Sequence, residues 1–201
     1  MRRTPKTPAK KGSQKWIQEV VNNNPDILDA KIKKQLGMPE PEIIAWLSPL
    51  ASDGYAEYQD QSFLDQLSVD LPKVPLSDFW PKRGPVWDAF GKSSAGDIFI
   101  VEAKSHILEA VSGGTGAGEK SLEQIVSSLS EVKAYVGTKT DVDWSQTFYQ
   151  YTNRLAHLYL LRVLNNIPAY LVFVYFVNDN EMNGPKSIDE WTGAIKWKTV
   201  F

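Results

Sequence analysis

"GDIFIVEAKSH", residues 96–106, is the stretch whose reading decides the fold of this chain. Ile98, Phe99, Ile100 and Val101 have the composition of a strand entering a core. Glu102 and Lys104 follow at once. Side chains alternate across a strand, so Ile98, Ile100, Glu102, Lys104 and His106 fall on one face. Either the strand emerges into water at Glu102, or the charges sit in a cleft with chemistry to do.

Upstream, "PVWDAFGK" (85–92) is a second strand-like run, and "SSAG" gives the separation of a hairpin. Folding the two runs about Ala95 sets Asp88 opposite Glu102 and Val86 opposite Lys104. Directly opposed side chains have Cβ atoms roughly 4.5–5.5 Å apart, and like charges there repel. Such a pair, partly buried, needs a proton, an arginine or a metal cation. Magnesium suits it best: it takes hard oxygen ligands, often one or two carboxylates, and leaves room for water and phosphate. Manganese is the alternative ion. A lysine on the same face then orients or activates water. A slip of one residue would move Asp88 to the other face, and acid–x–Lys is also common at an exposed strand end.

Further out, "QKWIQEVVNN" and "PDILDAKIKKQL" read as short helices, the second opening on Pro25. "PEPEII" is a breaker, "IIAWLSPL" a helical stretch, and "SDGYAEYQDQSFLDQLSV" a helix with Tyr55, Tyr58, Phe63, Leu64 and Leu67 inward. Residues 70–86 hold four prolines, which predicts irregular chain with at most one short strand. Then come a Gly-rich loop at 112–118, an amphipathic helix over 119–137 ended by Gly137, and a long, mostly apolar helix over 143–166. "AYLVFVYFVND" reads as a buried strand and "SIDEWTGAIKW" as a last helix. The order predicts an α/β domain, a mixed sheet with helices on both faces.

The 201 residues fit one domain, divided into a basic, disordered arm (1–15), an N-terminal helical segment (16–50) and the main domain (51–201). The chain has no cysteine, which excludes disulfides and thiolate chemistry and fits a cytoplasmic protein. Its longest apolar run, nine residues at 169–177, is too short for a membrane helix, and the start lacks the apolar core of a secretory signal. The arm holds six basic residues and no acid, leaving 16 basic against 24 acidic residues, a net charge of −8. That acidic body argues against a broad basic nucleic-acid footprint.

Asp88, thirteen intervening residues, and then Glu102-Ala103-Lys104 on a hydrophobic hairpin resemble the PD-(D/E)XK, or restriction-endonuclease-like, nuclease superfamily. The wider pattern over residues 42 to 191 is similar to an uncharacterised prokaryotic group within it. The resemblance implies a restriction-endonuclease-like fold and a Mg2+- or Mn2+-dependent nuclease hydrolysing phosphodiester bonds, with DNA the expected substrate. On it Asp88 and Glu102 bind metal, the Ala103 carbonyl is a further ligand, and Lys104 assists the nucleophilic water. Trp87 stands where the name-giving motif has proline. Glu57 in "YAEYQDQSF" matches a glutamate on a preceding helix that binds or orients a second ion. Gln150 matches a later glutamine, although Tyr151 follows it directly. Gln150, Asn153, Arg154 and His157 recur at i, i+3, i+4 and i+7, a polar stripe either supporting the site and a phosphate backbone or forming a solvated helix edge. Pairing into a homodimer or larger complex is expected of such a nuclease. The competing expectation is a non-catalytic nucleic-acid-binding or assembly protein that keeps the fold.

"SGGTGAGEKS" imitates a phosphate-binding loop, but Glu119 displaces Lys120 by one place and puts an anion where phosphate would lie. It reads as coil, or as a flap beside the site. His106 is either a substrate contact or the wet end of a strand, and His157 is equally readable as a core histidine. Two histidines without cysteine make a histidine-rich zinc site improbable.

Overall fold

The computed structural model describes residues 7–39 and 42–198; residues 1–6 of the basic arm and part of the "PEPEII" breaker lie outside it. It is a mixed α/β fold. Helices α1 (Gly12–Asn23) and α2 (Pro25–Leu36) lead into strand β1 (Ile44–Ser48). Helices α3 (Asp60–Leu67) and α4 (Leu76–Phe79) precede the hairpin β2 (Ala89–Ser93) and β3 (Ile98–Lys104). Then come α5 (Glu119–Val136), α6 (Tyr149–Tyr159), β4 (Ala169–Tyr175) and α7 (Ile188–Lys198). The strands form one sheet in chain order, antiparallel from β1 to β3 and parallel between β3 and β4.

The period-2 pattern of β3 divides the core. Ile98 and Ile100, with Phe90 opposite, pack under Phe63, Leu64, Leu67, Trp87 and Leu161. Phe99, Val101 and Ala103 turn the other way, onto Ile17, Val21, Leu28 and Ile32 of α1 and α2. Helices therefore cover both faces. Each fully buried large side chain here contributes about 1.5–3 kcal/mol relative to exposure. A third cluster joins α5 and α6 through Ile125, Leu129, Ala156 and Tyr159. Gly91 is fixed by proximity: a Cβ there would stand 2.8 Å from the Ala45 carbonyl on β1.

Several expectations are corrected. "IIAWLSPL" contains a strand, because Ile44, Trp46 and Ser48 alternate inward and give the sheet a fourth member. The arm is shorter than 15 residues, since α1 begins at Gly12 and takes in Lys15. The helix expected over 52–69 runs only from Asp60 to Leu67, leaving Glu57 in the preceding loop and Tyr55 half-exposed. Residues 70–86 hold the short helix α4 rather than a strand. The long helix over 143–166 begins at Tyr149 and passes into a π-turn at Leu160–Leu164. Strand β4 is only half-buried, because it closes one edge of the sheet. Among the described residues, no helix is long and apolar enough to cross a membrane.

Candidate active site

The hairpin sets the site. Ala89 pairs with Val101 and Phe90 with Ile100, the register that pivots on Ala95. Continued by one residue, it sets Asp88 against Glu102 where β2 begins to diverge. Asp88 is anchored there: its Oδ2 accepts the Ala103 N–H at 2.7 Å.

Glu102 lies on the same face as Ile100, yet only 3% of its surface is exposed. Two cationic side chains pair with it. Lys104 Nζ donates to Oε1, while Arg154 Nε and Nη2 both reach Oε2 at 2.7 Å. Arg154 is itself 6% exposed and fully engaged. Its Nη1 donates to Asn153 Oδ1 at 2.8 Å and its Nη2 to the Val86 carbonyl at 3.0 Å, and its guanidinium lies 5.5 Å from the Trp87 ring centre. Lys104 also reaches Gln150 Oε1 at 3.4 Å.

Arginine thus supplies part of the relief that two opposed carboxylates need. It is not sufficient. Burial first, and then repulsion from Glu102, push the Asp88 carboxyl up to about 7, although the Ala103 N–H, Lys104 and Arg154 all pull it down. Burial and its neighbour thus favour the protonated form of the Asp88 carboxyl.

Asp88, Glu102, Lys104, Glu57, Gln150 and Arg154 all line one cleft of about 860 Å³. Glu57 enters from the loop before α3 and accepts Gln14 Nε2 of α1 at 2.5 Å. Among the described residues, no three acidic, histidine or cysteine side chains converge closely enough to form a metal-binding cluster.

The polar stripe of α6 divides. Gln150, Asn153 and Arg154 line the cleft, whereas His157 turns into the core. Its Nδ1 meets the Asn153 carbonyl at 2.8 Å, and its ring packs edge-on to Trp80 and Trp87. Burial lowers its pKa to about 4, so it is a neutral core histidine. His106 lies 3.5 Å from Glu109 Oε1 and does not line the cleft.

Two contributors escape sequence reasoning. Gln14 reaches Glu57 from 43 residues earlier in the sequence, and no local pattern marks it. Glu109 accepts the Ser105 N–H at 2.7 Å and the Ser13 hydroxyl at 3.3 Å, tying the end of β3 to α1. Its only signal is an acid a few residues after the E-x-K strand. The Gly-rich loop, readable from the sequence as coil or as a flap beside the site, contributes Ser112, Gly113 and Gly114 to the cleft wall. No protein-family model matches the chain, and no curated protein or solved structure matches it either.

Proposed function

We propose that this cleft hydrolyses phosphodiester bonds in nucleic acid, DNA foremost, with Mg2+ or Mn2+ bound at Asp88 and Glu102, in a domain of restriction-endonuclease-like type. The observation that carries the reading is the juxtaposition of Asp88, Glu102 and Lys104 in one open cleft.

A bound divalent ion supplies charge for a phosphoryl oxygen and acidifies water. The protein's own groups do the rest. Lys104, held between Glu102 and Gln150, presents an ammonium whose remaining protons orient water and offset charge gathering on phosphate. Arg154 is a positioning residue: pinned to Val86 and Asn153, it fixes the Glu102 carboxylate. Glu57, anchored by Gln14, stands ready to orient a second ion or its water.

A second reading has one observation in its favour. Both Glu102 oxygens are already engaged by cationic side chains, which is how a structural ion-pair network in a non-catalytic assembly protein would look. Cleavage separates the two. The parent, Asp88→Ala and Lys104→Ala are incubated with Mn2+ and a panel of plasmid, single-stranded DNA and RNA. The parent is expected to cut at least one substrate, and each variant to lose about 10²–10⁴ in rate. Parent-like cutting by both variants overturns the site assignment. No cutting by any protein favours the assembly reading.

A further inference from the structure

Beside the main cleft lies a second cavity of about 800 Å³, walled by α4, the turn at 80–83, the Thr115–Gly118 half of the Gly-rich loop and the start of α5. Its charge is unlike that of the rest of the molecule. Beyond the basic arm, acids outnumber basic residues by 24 to 16. This cavity is lined by Lys82, Arg83 and Lys120 and by no acid. All three side chains are exposed, and none forms an ion pair among the described residues.

The cavity is also continuous with the site. Tyr149 lines both spaces, and they meet across two pairs of consecutive residues. Arg83 faces the basic cavity and Gly84 the cleft; Thr115 faces the cavity and Gly114 the cleft. Asp60 holds the first seam, its carboxylate accepting the Arg83 N–H at 3.0 Å and the Gly84 N–H at 2.8 Å.

We propose that this cavity binds the phosphates of the strand that flank the scissile one, making a polynucleotide, and not a mononucleotide or small diester, the substrate. The inference rests on reading the main cleft as a nucleic-acid site. Lys82, Arg83 and Lys120 neutralise successive backbone charges, and the local reversal of sign lets an acidic protein hold a polyanion along one defined track.

Binding in EDTA tests this without requiring cleavage. Fluorescence anisotropy is measured against labelled single-stranded DNA, the same sequence as RNA, and duplex DNA, over a series of salt concentrations. The parent is compared with the Lys82→Ala/Arg83→Ala/Lys120→Ala variant and with Lys31→Ala/Lys34→Ala, a change of exposed charge on α2 outside either cavity. Three lost phosphate contacts on a single strand flatten the slope of log K against log[salt] by about 2, so the triple variant binds about 100-fold more weakly at 0.1 M salt. The α2 variant binds like the parent. A triple variant with parental slope and affinity overturns the inference, even if the parent cuts nucleic acid. A parent that binds none of the three probes also overturns it. Binding lost in the triple variant supports the inference, even where no protein cuts and the hydrolytic reading fails.

Discussion

Replacing Asp88 by asparagine removes one of two opposed carboxylates and keeps an oxygen for the Ala103 N–H. In the folded protein, burial and Glu102 push the Asp88 carboxyl up to about 7 from an ordinary 3.8. Between those values the unfolded chain has released a proton that the folded chain retains. Stability from this group is therefore fully present below pH 3.8 and is lost as pH rises through 7. A gap of that size corresponds to about 4 kcal/mol. Asparagine carries no such proton, so Asp88→Asn is expected to gain up to about 4 kcal/mol on the parent between pH 4 and pH 8. His157 works in the opposite sense: its pKa falls from 6.5 to about 4, so its contribution is lost as pH falls. It is present in both proteins and cancels in their difference. Urea unfolding of the pair at a series of pH values in EDTA measures that difference directly. A gap between the two proteins constant to within about 0.5 kcal/mol across the range would refute the crowding of Asp88 against Glu102.

Arg154→Met strands one oxygen of buried Glu102 and two further acceptors, and is expected to cost about 3 kcal/mol, the low end for a broken buried pair because Lys104 remains. Urea unfolding combined with Glu102→Gln in a double-mutant cycle checks it, and additive effects would exclude the coupling. The His157 imidazole is expected to stay neutral down to about pH 4; its carbon-bound proton shifts in an NMR titration report this, and a midpoint near 6.5 would contradict the burial of the ring. Gly91→Ala places a methyl 2.8 Å from the Ala45 carbonyl and is expected to cost about 2 kcal/mol by prying β1 from β2, seen as a lower Tm; an unchanged Tm would contradict the close approach.

The hairpin was legible because two constraints agree. The five residues between paired Lys92 and Ile98 centre the hairpin on Ala95, and alternation along Ile98, Ile100 and Glu102 fixes the face. Strand β1 was obscured because its five residues are too few to separate period 2 from period 3.6; only Ile44, Trp46 and Ser48 carry the inward pattern. The edge position of β4 is a property of the sheet, and "AYLVFVYFV" reads the same in the middle or at the rim. In the site, Asp88, Glu102 and Lys104 follow from local register. The partner of Arg154 does not. Its helical spacing aims it at the cleft, but only the packing of α6 on β3 makes Glu102 its acceptor instead of a phosphate. Glu57 sits beside the others because Gln14 and the loop before α3 bring it there, a contact 43 residues apart in sequence.

Mn2+ binding by isothermal titration calorimetry near pH 8 tests most directly whether the two carboxylates form a cation site. The parent and Lys104→Ala are expected to bind Mn2+, and Asp88→Ala to lose it. No heat with the parent, or the same affinity in Asp88→Ala, would contradict the site.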